Sequence, residues 1–171
     1  KIILSDGTFV SKEDFNYETM TAIAVIVGSK NNGGEAIGIG LNVSTNSSWQ
    51  AEYSESYPAY FEGIKSNYNG SSSSGYTFSG DLDGSDNWDY ICMFDFLGTK
   101  YGDSYYPIFG YANDYGERYI GGNYLTGWYV PSLKELYDIY INKDIIVESI
   151  KIAKNKNYYN ALRAFLELGD Y

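Results

Sequence analysis

Apolar residues recur with helical spacing after Pro131. Ser132 can cap the first turn of a helix, and Glu135, three residues later, can close a capping box. The apolar residues that follow fall at i, i+3, i+4, i+7 and i+8, which is typical of one continuous inward face. That face consists of Leu133, Leu136, Tyr137, Tyr140 and Ile141. The pattern predicts an amphipathic helix over 132–141, with Leu136 and Tyr137 in the core.

Short β-rich runs predict two hairpins near the start of the chain. Apolar residues at 2–4 and 8–10 flank Asp6-Gly7, which is a strong turn signal. The β-branched run 21–27 and the apolar run 36–41 predict a second hairpin at the centre of a sheet. Glycines in the last of these runs leave one face of the strand bare, so we expect another group to approach closely there.

The later part of the chain is predicted to be mainly helical. Predicted helices cover 57–68, 86–94, 106–115, 144–154 and 157–168, and the last of these segments could instead contain a strand at 161–165. We expect Asp86 to cap the second of these, Gly116 to end the third and Asp144 to cap the fourth. Strands that come early and helices that come late predict an α+β fold, with a short antiparallel sheet, several helices and long irregular loops.

Length and composition limit the classes of protein to consider. A chain of 171 residues predicts one domain over 1–171 with a single core. Twenty Tyr, three Trp, eight Phe and 19 Gly indicate loops packed by aromatic rings, some of them exposed to a ligand. A net charge of −10 opposes binding to nucleic acid and sulfated polysaccharides. No apolar run is long enough to insert in a membrane.

Few residues could support catalysis. The chain has no His, which excludes Ser-His-Asp and Cys-His arrangements. The lone Cys92 stands among apolar neighbours, which favour a buried thiol over a reactive thiolate. Pairs of carboxylates could in principle hydrolyse a glycoside, but 22 acidic residues produce such pairs by chance. The sequence therefore predicts a protein that is not an enzyme.

An acidic loop is a candidate cation site. Asp81, Asp83 and Asp86 surround Gly84, and a flexible loop of this kind can supply oxygen ligands to Ca²⁺. The loop does not match an EF-hand, because the bidentate glutamate is missing. The favoured interpretation is structural, with Asp83-Gly84 forming a turn and Asp86 capping a helix, and Ca²⁺ binding stays an alternative. No other cofactor is predicted.

One segment also resembles a known family. The run Gly127-Trp128-Tyr129-Val130-Pro131-Ser132 before a Leu-rich helix resembles the signature of the bacterial DUF1566 family, also called the Lcl C-terminal domain family. Pieces at 2–10, 21–41 and 83–88 match it in the same order. The resemblance implies a C-type-lectin-like fold. Members continue into further strands, so we expect this chain, which ends at Tyr171, to lack the final strands.

The resemblance also carries an expectation about function. Some relatives are surface lipoproteins diversified by retroelements, which implies an exported, extracytoplasmic domain that binds a protein or glycan ligand. The first residue is Lys1, so an export signal is expected to have been removed. The alternative is a structural or assembly module of a surface protein without a ligand of its own. Whether the chain forms a homo-oligomer stays open.

The loop before the signature strand is the predicted ligand surface. It mixes rigid rings with amides and glycines, as binding loops do. The predicted ligand-binding residues are Tyr115, Tyr119, Asn123, Tyr124 and Trp128. The alternative is that the same loop packs over the core and has no ligand.

Overall fold

The chain folds into two compact units. A computed structural model describes residues 1–30, 34–42, 61–95, 100 and 102–154. Together they form an α+β structure with a small antiparallel sheet, a separate hairpin and several helices. Unit 1 takes its described residues from Lys1–Thr45, Tyr119–Leu125 and Asp138–Tyr171, and unit 2 takes its own from Asn46–Arg118 and Thr126–Tyr137. Each unit is therefore assembled from segments that are distant along the chain.

Unit 1 contains a four-stranded antiparallel sheet. The strands are β1 (Ile2–Leu4), β2 (Phe9–Val10), β3 (Ala22–Ser29) and β4 (Ala36–Gly40), in the order β2-β1-β3-β4. Both hairpins predicted from the sequence are confirmed, with β3 in the interior of the sheet and β4 as the outermost strand in this order. The first turn closes because Gly7 adopts a left-handed φ of 88° and Asp6 Oδ1 accepts a hydrogen bond from the Thr8 N–H at 2.9 Å.

The expected close approach to β4 is confirmed at Gly38. A Cβ atom at this position would lie 2.8 Å from Cδ1 of Ile3 and 3.2 Å from Cβ of Ala24. The bare strand face is thus filled by side chains of β1 and β3, which any larger residue would displace.

Unit 2 contains a hairpin that the sequence did not predict. Its strands are β5 (Ser66–Ser71) and β6 (Gly75–Gly80), preceded by a 3₁₀ turn at Glu62–Ile64. The predicted helix over 57–68 is therefore wrong for its described part, residues 61–68, while 57–60 lie outside the described residues. Ser, Asn and Gly dominate β5, and these residues are poor helix formers that compete with helical hydrogen bonds.

Six α-helices occur in the described part of the chain. They are α1 (Asn87–Phe94), α2 (Gly102–Tyr105), α3 (Pro107–Asn113), α4 (Tyr115–Tyr119), α5 (Leu133–Ile141) and α6 (Lys143–Ala153). Pro107 occupies the first turn of α3, where its missing N–H costs nothing. The helix predicted over 157–168 lies outside the described residues.

Three predicted helix ends need correction. Asp86 precedes α1, but its side chain makes no capping hydrogen bond. Gly116 does not end a helix, because it lies inside α4, after α3 has already ended at Asn113. Asp144 is not the cap of α6 either, because the helix begins one residue earlier, at Lys143. Asp144 therefore lies in the first turn, where its carboxylate interacts favourably with the positive end of the helix dipole.

Helix α5 is confirmed, but its predicted inward face is not. Leu133, Tyr140 and Ile141 are 38%, 50% and 58% exposed, and Leu136 and Tyr137 are half-buried rather than core. The buried positions of this segment are Ser132, Glu135 and Ile139, which are spaced three and four residues apart. The buried face of α5 therefore differs from the apolar face predicted from the sequence, because the carboxylate of Glu135 has hydrogen-bond donors inside unit 2.

Each unit has its own hydrophobic cluster. In unit 1 the buried residues are Ile2, Leu4, Val25, Leu41, Ile139, Ile146 and Ile150. In unit 2 they are Ile64, Ile91, Tyr106, Phe109 and Val130, with half-buried rings such as Trp88 and Tyr90 packed against them. The described residues thus contain one buried hydrophobic cluster in each unit.

Candidate functional site

The most organised polar site in unit 2 is built around Glu135. This residue is only 8% exposed and lies in the first turn of α5. Its Oε2 accepts the N–H of Ser132 at 2.9 Å, and its own N–H donates to Oγ of Ser132 at a longer 3.4 Å. The capping box predicted from the sequence is therefore confirmed.

Two further donors reach the same carboxylate from other parts of unit 2. The N–H of Gly84 donates to Oε2 at 2.9 Å, across 51 residues of sequence. The hydroxyl of Tyr129 donates to Oε1 at 2.9 Å. A buried carboxylate needs several donors to offset the loss of water, and here two backbone N–H groups and a phenol supply them. Glu135 thereby joins the acidic turn to the segment 127–132. The strand expected there from the sequence is absent from the structure.

Gly84 is held against the backbone of the signature segment. A Cβ at this position would lie 2.2 Å from the carbonyl oxygen of Val130 and 2.7 Å from the nitrogen of Ser132. Both atoms belong to the main chain, so they cannot move aside as a flexible side chain could. Only glycine fits, which explains the Asp83-Gly84 pair better than a simple turn preference does.

The environment of Tyr129 raises the pKa of its phenol. Burial raises the pKa of the Tyr129 phenol above its ordinary value, and the hydrogen bond to Glu135 and the negative charges of Glu135 and Asp83 act in the same direction. The Tyr129 phenol is therefore protonated at every pH at which an ordinary tyrosine is protonated, and it can donate its hydrogen bond throughout that range. The sequence alone did not predict this pair, and its only local signal was an acidic residue in the first turn of a helix, six residues after a tyrosine.

The acidic loop uses its carboxylates to hold its own backbone. Asp81 accepts the N–H of Asp83 at 3.0 Å and the side-chain amide of Asn87 at 2.9 Å. Asp83 accepts the N–H of Ser85 at 3.0 Å and so caps the 3₁₀ turn Gly84–Asp86. The turn is as expected, but Asp83, rather than Asp86, provides a cap.

No cluster of metal-binding side chains is found among the described residues. No group of three Cys, Asp or Glu side chains in this part of the chain is placed to hold an ion, and the predicted set Asp81, Asp83 and Asp86 is no exception. One polar atom near these residues is not satisfied: Oδ1 of Asn87, which is 4% exposed, has no hydrogen-bond partner.

The predicted ligand-binding residues divide between the two units. Tyr115 and Trp128 belong to unit 2 and pack together, with ring centroids 4.4 Å apart, and Tyr115 also meets Tyr111 at 5.9 Å. Tyr115 is only 4% exposed, so its side chain is part of the packing rather than of an accessible surface. Trp128 is half-buried beside it.

The other three predicted residues belong to unit 1. Tyr119 is 44% exposed and Asn123 is exposed, while Tyr124 is half-buried. The hydroxyl of Tyr124 lies over Gly7, 3.0 Å from the place where a Cβ would stand. This loop is therefore anchored on the turn of the β1-β2 hairpin and presents Tyr119 and Asn123 to solvent.

Glycines set the path of the same loop. Gly121 and Gly122 adopt left-handed φ values of 69° and 62°, and a Cβ at either position would meet nothing within 4 Å. Leu125, after them, is 42% exposed. The glycines are required by the backbone turn and not by crowding.

Comparisons with protein-family models, with curated proteins and with solved structures found no match to this chain. No described helix combines the length and apolarity that are needed to cross a bilayer. The interpretation of the site therefore depends on the side chains themselves.

Proposed function

We propose that this protein is a non-enzymatic, extracytoplasmic bacterial domain of the Lcl C-terminal type that binds a protein or glycan ligand. The binding surface we propose is the segment 119–125, which runs from the last residue of α4 through the loop after it and carries Tyr119, Asn123 and Leu125 (the exposed loop). The resemblance of the signature segment supports the family and the C-type-lectin-like fold. The side chains of the exposed loop support the binding function.

One observation carries the proposal. A tyrosine, an amide and a leucine are exposed on a loop whose neighbouring residue, Tyr124, is fixed against Gly7. Tyrosine offers a ring for stacking and a hydroxyl for hydrogen bonds, and it loses little entropy on binding because it has few rotatable bonds. A loop that is already anchored also loses less freedom when the ligand binds.

The chemistry of the chain favours binding over catalysis. It has no imidazole to act as a general base. The buried carboxylate of Glu135 accepts three hydrogen bonds within unit 2, from Gly84, Ser132 and Tyr129, and these hold it in a structural role. A net charge of −10 favours neutral or basic ligands over acidic ones.

The binding proposal can be tested with arrays. The purified chain is applied to a glycan array and to a displayed library of twelve-residue peptides, and each hit is measured in solution by calorimetry. Tyr119→Ala and Asn123→Ala are expected to weaken binding at least about tenfold each, the effect of losing one well-placed contact.

Tyr140→Ala is the matched control. Tyr140 is 50% exposed in the same unit but lies on α5, outside the loop. Its loss is expected to leave affinity unchanged. Hits that respond equally to Tyr119→Ala and Tyr140→Ala, or that ignore both, contradict the exposed loop as the binding surface.

A structural or assembly module is the second candidate, and one observation favours it. Met93 and Phe94, at the end of α1, are 71% and 62% exposed, which is unusual for adjacent large apolar residues. A module that docks onto other domains needs such a surface. If the arrays yield no ligand and Phe94→Ser abolishes binding to co-purifying surface proteins, this function replaces the first.

A further inference from the structure

The hairpin in unit 2 has an edge that is ready to pair with another strand. Lys65 and Asp81 lie opposite each other, and the Asp81 N–H donates to the Lys65 carbonyl at 3.0 Å. The register continues without a shift through Ser66↔Gly80, Asn67↔Ser79 and Tyr68↔Phe78. In an antiparallel ladder, hydrogen-bonded and non-bonded pairs alternate, so Tyr68 and Ser66 occupy non-bonded pairs. Their N–H and C=O groups therefore point away from β6.

No other strand uses these groups in the part of the chain that the structure describes. The sheet of β5 and β6 contains two strands, and β5 is exposed from Asn67 to Ser71. Tyr68 itself is 64% exposed. The side chains of β6 are less exposed, because Tyr76 and Phe78 are half-buried and pack on Tyr137 at 5.4 and 5.1 Å.

The β5 edge also lacks the usual protection against pairing. Proteins guard exposed edges with charged residues, proline or bulges. Between Lys65 and Asp81 the chain has no charged residue and no proline, although a fifth of the whole sequence is charged. The ladder shows no bulge either. An edge left unprotected in this way is expected to be used.

We propose that the β5 edge pairs with the β5 edge of a second copy of this chain, around a two-fold axis at Tyr68. In this antiparallel arrangement Tyr68 meets Tyr68 of the second copy and exchanges both backbone hydrogen bonds with it. Asn67 of each copy then faces Asn69 of the other. Aromatic pairs and amide ladders are favourable cross-strand neighbours.

The side chains of β5 are compatible with an antiparallel copy of the same strand. Under this two-fold axis Lys65 faces Ser71 of the other copy, so the nearest cations do not meet each other. Lys65 is exposed and near Glu62, with Nζ 3.5 Å from Oε1. Lys65, at each end of the interface, is its only charged residue, while each copy as a whole has a net charge of −10. Long-range repulsion should therefore weaken the dimer at low salt and be screened at high salt.

The first test is sedimentation velocity on the full chain from about 10 µM to about 1 mM, the range in which a small interface associates. We expect a monomer–dimer equilibrium that shifts toward dimer as NaCl rises. A wild-type chain that stays monomeric at every concentration and salt level overturns the proposal, even if it binds an extended peptide of another protein.

Charge at position 68 tests the axis. Tyr68→Lys and Tyr68→Glu should each weaken dimerisation at least tenfold, because like charges meet at the two-fold axis. An equimolar mixture of the two variants should associate again, since lysine then faces glutamate. A mixture that remains as monomeric as its components overturns pairing through residue 68.

Ser79→Lys is the matched control. Ser79 is exposed on β6 and faces Asn67 within the hairpin, so this change adds the same charge to the same hairpin but not at the β5 edge. Dimerisation of this variant should stay within threefold of wild type. An equal loss in Tyr68→Lys and Ser79→Lys would assign the effect to general electrostatics and overturn the proposal. Recovery in the mixture cannot arise from unfolded variants.

Discussion

Unit 1 and unit 2 are stabilised in different ways. The buried cluster of unit 1 is entirely aliphatic, from Ile2 on β1 to Ile150 on α6. The cluster of unit 2 is built on rings: Tyr106 and Phe109 are each 1% exposed, and Trp88 stacks on Phe109 at 6.0 Å and 16°. Aliphatic packing has little directionality, whereas ring pairs favour particular angles and distances.

The two units also treat their acidic residues differently. In unit 1 Glu148 forms an ion pair with Lys12 at 2.8 Å, and the Glu148 side chain is 55% exposed. In unit 2 Glu135 is buried and accepts hydrogen bonds from Gly84, Ser132 and Tyr129. An exposed pair can exchange its partner for water at small cost, but a buried carboxylate and its donors cannot. Unit 2 therefore depends on geometry in both its rings and its polar network.

The largest expected effect is the loss of Phe109. Phe109→Ala should lower the free energy of unfolding by about 3 to 5 kcal/mol, because it removes a fully buried ring and leaves a cavity. Phe109→Leu should still be costly, since it removes the contacts with Trp88 and Tyr106. Urea unfolding followed by fluorescence and circular dichroism measures both.

The matching change in unit 1 is Ile146→Leu, at a residue that is 2% exposed. It keeps the volume of the side chain, so it should cost less than about 1.5 kcal/mol. If Phe109→Leu proved no more costly than Ile146→Leu, the distinction between a directional and a non-directional core would fail.

The second effect concerns the two glutamates. Glu135→Ala leaves the N–H groups of Gly84 and Ser132 without their acceptor in a buried place, and should cost about 3 kcal/mol. Glu135→Gln keeps an oxygen for these donors and should cost less. The same chemical change at the surface, Glu148→Ala, should leave the thermal midpoint unchanged within error. Equal losses of stability in Glu135→Ala and Glu148→Ala would show that the buried hydrogen-bond network does not stabilise the fold.

Local signals predicted the parts of the fold that local interactions determine. Asp6-Gly7 gave the first hairpin because an Asp side chain and a left-handed glycine close the turn within a few residues. Ser132 and Glu135 gave the start of α5 because a capping box is complete within four residues. In both cases sequence reasoning needed no knowledge of distant segments.

The remaining features depend on residues that are far apart in sequence. The hairpin of β5 and β6 escaped prediction because its Ser- and Gly-rich sequence resembles a loop, and pairing across the turn decides its structure. The inward face of α5 was misplaced because the apolar pattern leaves Glu135 out of that face, whereas Gly84, 51 residues earlier, provides a donor for it inside unit 2.

The candidate ligand surface was found only in part, for the same reason. The composition of the loop predicted Tyr119 and Asn123 as ligand-binding residues, and both are exposed. It predicted Tyr115 in the same way, although Tyr115 is buried against Trp128. Tyrosine suits both a core and a surface, and only the fold separates the two uses.

The smallest expected effect, and the finest test of the polar network, is the pH dependence of Tyr129. Its pKa in the folded protein is raised above the ordinary value of about 10, first by burial and then by Glu135. Below pH 10 the phenol is protonated in both the folded and the unfolded chain, so its contribution to stability is fully present. As the pH rises above 10, the unfolded chain releases this proton first and stability falls.

Tyr129→Phe should remove that part of the pH dependence. At neutral pH the variant should lose about 1.5 kcal/mol, the value of a hydrogen bond to a charged group. Above pH 10 the difference from wild type should shrink, because only the wild-type chain still has this proton to lose on unfolding. Urea unfolding at pH 7, 9, 10 and 11 measures the difference, and Tyr140→Phe, at a half-exposed tyrosine of α5, corrects for general alkaline effects. A difference that stays constant across this range would mean that the phenol of Tyr129 titrates alike in the folded and unfolded chains, and the account of a protonated donor held by Glu135 would be wrong.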